Sequence, residues 1–509
     1  MSDNKRVRVT TINALTNYFR FFLTIIISFW LIPFIIRSLG QDLYGLWSLT
    51  FSIIGFFSLL DFGFGLGVVK WTGESRINGK LDYRNSMLST VLFVYIILAL
   101  AGMAILIIFS FFYGKLFSIP EELIPVAVTI LIILGVRSLL IQIPMSLFKG
   151  VLFGEQRIYL INIIQILSNV VYAVSAYFAL TGGLGVVGLA SVNCLAFFAE
   201  NILYLIFAFR KTEKLSLSLK KVKRSFIKEA LSFSIYSFIT TVAGLVLFQT
   251  DTLIVQLTLN LELVGVYAVA LKINEYSFLL SKQLVNVLTP LISELKENKE
   301  DDSIRYLLLD ISKYVAATGA LITLTIYVFS KELLYFWVGE AFLQANVPLL
   351  ILMTSFLLTI PELIASSVLT MTGEHTFTAK ISVISIFVNL GASLILVRFF
   401  KLTGIALGTL ISIVINNVIF TLRKAAKIYS FPYHHYITRV FLPVLLPGIF
   451  LVAAGYLLKY FFPVSGLWDM IIKAIPGVIV YLILFWFFSI DKSMKQKVRD
   501  RIAHRRTRS

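Results

Sequence analysis

Apolar runs of about 20 residues follow one another along almost the whole chain, and they constrain the fold more than any other feature. A helix of that length spans a bilayer, and backbone groups find no water inside lipid, so each run must be helical. Hydrophobic residues make up 58% of the 509 residues, too large a share for a water-soluble protein. The sequence therefore predicts an all-α polytopic membrane protein with about fourteen transmembrane helices. The candidate spans lie near residues 11–36, 45–69, 86–113, 123–149, 159–180, 185–208, 230–256, 263–289, 307–329, 344–371, 378–399, 403–422, 440–461 and 467–489.

Three short motifs occur twice, in the same order, at an offset of 216–220 residues. Residues 43–47 (LYGLW) correspond to 263–267 (LVGVY), and 188–190 (GLA) correspond to 404–406 (GIA). The third pair shares the dipeptides Ile-Pro, Val-Leu and Gly-Glu, which begin at Ile143 and recur from Ile360. Matches in the same order at a nearly constant offset indicate a duplicated unit. Because each copy holds six spans, an even number, both copies enter the membrane from the same side as parallel repeats, a plan typical of transporters.

Basic residues concentrate in alternate loops. The loop 209–228 holds eight Lys and Arg residues, and the tail after Ile490 holds eight more. Cytoplasmic loops carry such an excess, so the pattern predicts that both termini are cytoplasmic and that the tail lies near anionic membrane lipids. The net charge of +18 is explained by this topology, and no nucleic-acid partner is predicted.

The repeat and the charge pattern together divide the chain into five segments. A linker at 290–306 carries charges of both signs and is predicted to be solvated. The segments are an N-terminal six-helix lobe (1–208), a basic cytoplasmic inter-lobe loop (209–229), a C-terminal six-helix lobe (230–424), an extra helix pair (425–490) and a basic cytoplasmic tail (491–509).

Four motifs carry a resemblance to a known family. Residues 37–47 (RSLGQDLYGLW) and 60–65 (LDFGFG) resemble the opening of the bacterial polysaccharide transporter family. These are O-antigen-type flippases of the multidrug/oligosaccharidyl-lipid/polysaccharide (MOP) exporter superfamily. Residues 249–254 (QTDTLI) and 264–270 (VGVYAVA) resemble that family's start of the second lobe. The similarity spans roughly residues 10–425.

The resemblance implies a fold and a function. The fold is two six-helix lobes around a central cavity that opens by alternating access. The function is transport of an undecaprenyl-diphosphate-linked oligosaccharide from the cytoplasmic to the outer leaflet of the bacterial plasma membrane, for O-antigen, capsule or exopolysaccharide synthesis. A polysaccharide polymerase and other assembly proteins are the implied protein partners. No cofactor is predicted, and the coupling ion, H⁺ or Na⁺, is left open.

The first span carries a polar stripe. Its members recur at a spacing of three to four residues and fall within an arc of about 60° on a helix. They are Asn13, Asn17, Arg20, Thr24 and Ser28. The stripe is interpreted either as a cavity wall, with Arg20 available to a phosphate, or as a surface that binds a neighbouring helix through hydrogen bonds.

The eighth span repeats this pattern with Lys272, Glu275, Lys282, Gln283 and Asn286. Lys272 and Glu275, at positions i and i+3, are predicted to neutralise each other. Lys282 has no acidic neighbour on its own helix. Either these residues line the cavity, or they form a self-contained ion pair beside a lysine that extends to the membrane surface.

Further charges lie within the predicted spans. Arg137 is in the middle of its span and long enough to bind a diphosphate through two parallel hydrogen bonds. Asp61 and Asp251 each sit in a family motif, where bracing of the bundle and ion coupling are both open. Pro144 and Pro361 are repeat mates, and the kinks they cause either serve gating or belong to a static bundle.

Other function classes lack their residues in the sequence. No His/Cys/carboxylate group with metal-ligand spacing and no ATPase-type phosphate loop occur, so no metal site, catalytic residue or direct use of ATP is predicted. A cation-coupled multidrug exporter of the same superfamily is the first alternative. A polytopic polysaccharide polymerase or ligase is the second, although such an enzyme generally needs a large outer loop.

Overall fold

The computed structural model describes residues 3–286 and 288–490, with side chains from residue 11 onward apart from positions within 233–248 and 286–290 and at 375. Every regular element in these ranges is helical. The α-helices are α1 (Asp3–Phe57), α2 (Phe64–Asn78), α3 (Leu81–Leu116), α4 (Ile124–Gly135), α5 (Ile143–Gly154), α6 (Ile158–Thr181), α7 (Gly185–Lys211), α8 (Arg224–Thr258), α9 (Leu261–Asn286), α10 (Thr289–Glu297), α11 (Asp301–Tyr306), α12 (Ser312–Val338), α13 (Asn346–Met371), α14 (His375–Ile413), α15 (Leu422–Ile428), α16 (Tyr433–Tyr436), α17 (Leu442–Phe461) and α18 (Leu467–Leu484). Five π-helical segments continue them: Val136–Gln142, Leu307–Ile311, Val414–Thr421, Ile437–Phe441 and Phe485–Ser489. Four 3₁₀ turns complete the order: Ser58–Asp61, Glu121–Leu123, Leu219–Lys221 and Glu340–Ala345.

Eleven helical segments among the described residues are long and apolar enough to cross a membrane. Two of them, Thr11–Asp61 and Thr376–Ile428, have 51 and 53 residues, which is long enough for two spans each. Each is interrupted by one residue with non-helical backbone angles, Gly40 in the first and Lys401 in the second. The predicted all-helical membrane fold is confirmed, and the number of fourteen spans stays a prediction.

Contacts divide the chain into two compact units, Met1–Ala268 and Val269–Ser509. In the first unit α1 packs on α6, and α7 packs on both α5 and α6. In the second unit α12 packs on α13, and α13 packs on α14. The C-terminal helices α17 and α18 pack on each other and on α12. The lobe boundaries inferred from the duplication, 1–208 and 230–424, stay a prediction.

The basic loop that follows α7 is held along the beginning of α3. The side chains of Arg84 and Asn85 donate to the carbonyl oxygens of Glu213 and Lys214, at 2.7 and 2.8 Å. Hydroxyl groups on the next turn of α3 accept two backbone N–H groups of the loop, each at 3.1 Å. Because these bonds use the loop backbone, the side chain of Lys214 remains exposed. The loop is therefore anchored within the first unit.

Residues 290–306, which were predicted to be a solvated linker, are charged and largely exposed. Within this stretch the chain forms the short helices α10 and α11, which the sequence analysis did not predict. Pro290 lies in the first turn of α10, where a backbone N–H would have no acceptor within the helix, so its absence costs no hydrogen bond. Asp301 and Asp302 lie in the first turn of α11, where carboxylates favour a helix start. The charge pattern alone did not predict where these two helices begin.

Two glycines of the repeated motif lie against each other, Gly45 on α1 and Gly265 near the beginning of α9. A Cβ atom placed on Gly45 would lie 2.1 Å from the carbonyl oxygen of Leu261 and 3.3 Å from the backbone nitrogen of Gly265. A Cβ atom on Gly265 would lie 2.9 Å from the carbonyl oxygen of Gln41 and 3.3 Å from the nitrogen of Gly45. Small residues allow helices to approach this closely in a membrane. Close packing thus explains why this glycine occurs in both copies.

Replacing Gly45 with alanine is expected to lower the melting temperature of the purified protein by several degrees. The new methyl group would overlap backbone atoms, and overpacking costs about 1–3 kcal/mol. Gly391→Ala is the matched control, because nothing lies within 4 Å of a Cβ atom at this other helical glycine. The control should be neutral or slightly stabilising. Equal melting temperatures for the two variants would contradict the packing described for Gly45.

Reporter fusions test the predicted topology. A fusion after Lys115 or Lys331 should read as outside, and a fusion within residues 211–224 should read as cytoplasmic, because the basic loop stays inside. Each site is fused in turn to alkaline phosphatase, which is active only outside the cytoplasm, and to green fluorescent protein, which fluoresces only inside it. A cytoplasmic reading after Lys331 would contradict six spans per repeat.

Candidate functional site

Part of the polar stripe of α1 holds that helix against α6. The side-chain oxygen of Asn13 accepts the backbone N–H of Tyr159 at 2.9 Å. Nearly three turns farther on, the amide of Asn169 donates to the hydroxyl of Thr24, also at 2.9 Å. For Asn13 and Thr24, these contacts agree with the interpretation that the stripe binds a neighbouring helix.

Asn17 and Arg20 of the same stripe contact each other. The guanidinium of Arg20 donates to the side-chain oxygen of Asn17 at 2.9 Å. The Nε atom of Arg20 is buried and has no hydrogen-bond partner. Glu200 and Tyr204 of α7 are its electrostatic partners. Arg20 therefore keeps a buried donor available close to an acidic residue.

Arg137 lies in the π-helical segment Val136–Gln142 and contacts aromatic rings. Its Cζ atom is 4.0 Å from the ring centroid of Phe197 on α7 and 5.9 Å from that of Phe51 on α1. The Nε atom is buried without a hydrogen-bond partner, and no described acidic side chain pairs with this arginine within 4 Å. An aromatic face attracts a cation but accepts no conventional hydrogen bond. The guanidinium is thus held in place with donors still available.

Lys149 also belongs to this region, and the sequence interpretation missed it. The predicted span ended at Lys149, whereas α5 continues to Gly154, so the lysine lies inside the helix. Its Nζ atom is 5.8 Å from the ring centroid of Tyr204 on α7. The run GVLFG at residues 150–154, directly after Lys149, was the available signal that the helix continues.

Five residues from four elements form one polar group in the first unit, called the Glu200 cluster below. They are Arg20 of α1, Arg137 of the π-helical segment, Lys149 of α5, and Glu200 and Tyr204 of α7. The hydroxyl of Tyr204 donates to Glu200 at 2.7 Å, and Glu200 interacts electrostatically with all three cations. Three cations and one carboxylate leave two net positive charges (3 − 1 = 2). Such a group within membrane spans is suited to bind a dianion.

The carboxylates of the two family motifs join neighbouring elements within the first unit. Asp61 accepts hydrogen bonds from the hydroxyl of Tyr95 on α3 and from backbone N–H groups at the start of α2. Asp251 of α8 accepts the hydroxyl of Tyr267 of α9 at 2.9 Å and is fully buried. These contacts favour the bracing interpretation, and a part in ion coupling stays a prediction.

The charged residues of the eighth span lie on α9, in the second unit. Lys272 and Glu275 form an ion pair at 2.7 Å with each side chain 44% exposed, which confirms the predicted pairing. Lys282 is exposed, and its Nζ atom is 5.7 Å from the ring centroid of Phe278. The cavity that these residues were predicted to share with Arg20 and Arg137 stays a prediction.

The repeat-mate prolines have different surroundings. Pro144 follows the π-helical segment directly and lies in the first turn of α5. Pro361 lies in the interior of α13, and its carbonyl oxygen is 3.5 Å from the hydroxyl of Ser312. Since proline cannot donate to the carbonyl four residues earlier, each copy has a weakened helix at this level. Gating by these positions stays a prediction.

Comparison with known families decides the relationship. Residues 13–296, more than half of the chain, match the family described as polysaccharide biosynthesis protein. The chain belongs to the polysaccharide biosynthesis protein family. The matched region contains the entire Glu200 cluster.

Two relatives of this family member extend the match. The uncharacterized membrane protein EpsK of Bacillus subtilis (strain 168) is 22% identical over 96% of this chain and 97% of its own length. The probable low-salt glycan biosynthesis flippase Agl15 of Haloferax volcanii is 23% identical over 76% of this chain and 78% of its own length. The relatives are therefore named as membrane proteins and as a flippase.

Two solved structures share the fold of this family member. The lipid II flippase MurJ in an inward closed conformation aligns with a TM-score of 0.71 at 15% identity, over 94% of this chain and 98% of that one. An inward-facing multidrug resistance transporter of the MATE family, in the MOP superfamily, aligns with a TM-score of 0.70 at 15% identity, over 81% and 95%. The predicted resemblance to the polysaccharide transporter family is confirmed by the family match. The chain is a multi-pass membrane protein whose fold is similar to that of these two solved structures.

Proposed function

We propose that the protein is a flippase that carries an undecaprenyl-diphosphate-linked oligosaccharide from the cytoplasmic to the outer leaflet of the bacterial plasma membrane. It would serve the synthesis of O-antigen, capsule or exopolysaccharide, with both termini in the cytoplasm and a polysaccharide polymerase among its partners. Family membership and the flippase name of one relative support this assignment. Alternating access of two lobes would move the head group across the membrane.

The proposal rests on the surroundings of Arg137, which hold its guanidinium in place but leave one donor without an acceptor. Its guanidinium is held on the ring of Phe197 while its buried Nε atom lacks an acceptor. A buried donor without a partner costs about 1–3 kcal/mol, so the protein is stabilised when an acceptor arrives. Guanidinium groups bind phosphate oxygens through two parallel hydrogen bonds. A diphosphate is the part of the proposed substrate that offers such oxygens.

The charge of the Glu200 cluster distinguishes between the candidate transporters. The MATE-family neighbour makes a multidrug exporter the second candidate function. Two net positive charges within the spans repel a cationic drug and attract an anionic head group. No catalytic role is proposed, because every function-bearing relative reported above is a flippase or a transporter.

The test is loss of surface glycan together with identification of the bound lipid. Deleting the gene should remove the glycan and leave a lipid-linked oligosaccharide in the cytoplasmic leaflet. The purified protein should retain a polyprenyl diphosphate that mass spectrometry detects. Cells that export the glycan normally without the gene, yet lose resistance to cationic dyes, would identify a multidrug exporter instead.

A further inference from the structure

We infer that Glu200 is a built-in counter-anion of the diphosphate site, one that offsets part of the charge of the three cations and leaves their hydrogen-bond donors to the arriving substrate. This inference rests on the proposed flippase function and assigns a role to a residue outside the predicted substrate set. The Glu200 side chain would act in binding and in release, without forming or breaking a covalent bond.

One acid lies near three cations, two of which contact rings on its own helix: the Cζ atom of Arg137 is 4.0 Å from the ring centroid of Phe197, and the Nζ atom of Lys149 is 5.8 Å from that of Tyr204. Glu200 is 8% exposed, and its carboxylate is fixed by the hydroxyl of Tyr204 at 2.7 Å. It interacts electrostatically with Arg20, Arg137 and Lys149, yet it forms no described ion pair with them at 4 Å or less. The acid is therefore near enough to attract the cations and too far to occupy their donors.

Unpaired donors on two of the cations show that the counter-anion is incomplete. The Nε atoms of Arg20 and Arg137 are both buried without hydrogen-bond partners. A salt bridge that was purely structural would satisfy its donors, because a buried unpaired donor is costly. Glu200 offsets the charge of the cluster, while the hydrogen bonds remain available to another group.

The charge balance identifies the chemical class of that group. By formal charge, the cluster carries two net positive charges, as counted above. A diphosphate esterified at both ends carries two negative charges, so binding brings the site to neutrality. A monophosphate diester carries one negative charge and would leave a positive charge uncompensated in the membrane, which is unfavourable. The cluster therefore matches a lipid diphosphate better than a glycerophospholipid.

The same balance favours release. Without Glu200 the cluster would carry three net charges and hold a dianion too tightly to let it leave. Coulomb attraction changes by about 1.4 kcal/mol or more when one charge near the ligand is removed at intermediate dielectric, which is about tenfold in affinity. A transporter must bind and then let go, so moderate attraction is the functional optimum.

The experiment compares binding with export in Glu200→Gln. The full chain in nanodiscs is titrated with farnesyl diphosphate esterified with glucose (the farnesyl diphosphate probe), which carries two negative charges like the proposed substrate. Farnesyl phosphate esterified with glucose, which carries one, and farnesol are the comparison ligands. Glu200→Gln keeps an acceptor for Tyr204 and should bind the farnesyl diphosphate probe about tenfold more tightly than the wild type. Surface glycan at equal protein level should nevertheless fall several-fold. A residue needed only for folding would lower binding and export together.

Two further variants separate charge from packing. Glu74→Gln removes an exposed carboxylate outside the Glu200 cluster, so its affinity should stay within about threefold of the wild type. In a Lys149→Gln background, adding Glu200→Gln should again tighten binding by about tenfold. This pair keeps the test available if the single Glu200→Gln protein does not fold, because the double variant has the charge balance of the wild type.

The outcomes distinguish the two proposals. A wild type that prefers the farnesyl diphosphate probe, with no gain of affinity on removing the charge of Glu200 in either background, would overturn the counter-anion role and leave the flippase assignment intact. A wild type with no preference for the diphosphate over farnesol would overturn the substrate assignment itself. Tighter binding together with reduced export is the result we expect.

Discussion

Replacing Arg137 with methionine is expected to lower glycan export about a hundredfold while raising the melting temperature of the purified protein. Export falls because two charge-assisted hydrogen bonds to a phosphate, worth about 1.5–3 kcal/mol each, are lost. Stability rises because a buried cation without an acid at ion-pair distance is exchanged for an apolar side chain of similar length, which is often stabilising by about 1–4 kcal/mol. Glycan staining of cells and thermal unfolding in detergent provide the two measurements.

Lower export together with higher stability would distinguish a substrate-binding residue from one that supports the fold. Arg137→Lys should retain stability but restore little export, because an ammonium group lacks the planar pair of donors. Arg398→Met is the matched control, since this arginine is exposed on α14, and it should leave export unchanged. An Arg137→Met protein that unfolds more easily than the wild type would show that the guanidinium supports the fold.

Exchanging Lys272 and Glu275 for each other is expected to lower export at least tenfold without changing stability. The swap keeps an i,i+3 pair, and a pair this exposed contributes only about 0.3–0.5 kcal/mol to stability. It moves the positive charge by three residues along α9, however. A substrate that binds Lys272 meets a carboxylate after the swap.

A second exposed pair serves as the control. Lys70 and Glu74 on α2 form an ion pair at 3.9 Å with side chains 44% and 50% exposed. Swapping those two residues should leave glycan export as in the wild type, because neither belongs to the predicted substrate set. Normal export from the Lys272/Glu275 swap would assign that pair to the structure of α9 alone.

Local features of this fold were predictable from the sequence. The pairing of Lys272 with Glu275 depends on helical spacing only, so a correct helix assignment was enough to find it. The helical spans followed in the same way from apolar length. The long helices interrupted at Gly40 and Lys401 also agree with breaks left between predicted spans.

Features that depend on distant segments were not predictable. Lys149 and Glu200 are 51 residues apart, and no periodicity links a lysine at an apparent span end to an acid in a later helix. The anchoring of the basic loop was not predictable either, because Arg84 contacts a backbone carbonyl oxygen, which every residue type provides. The substrate role of every predicted site residue, Arg20 among them, stays a prediction for a further reason. It depends on how two halves of a moving transporter meet, and residue spacing within one helix carries no such information.

The contact between Gly45 and Gly265 also has a historical consequence. If the duplicated unit began as two identical chains, every mutation at this glycine would have appeared on both sides of the contact at once. In a single chain each of the two positions is free to change alone. An added Cβ atom would lie 2.1 Å from its nearest neighbour at Gly45 and 2.9 Å from its nearest neighbour at Gly265. Gly265 is therefore the position where descendants of this chain should first accept a side chain.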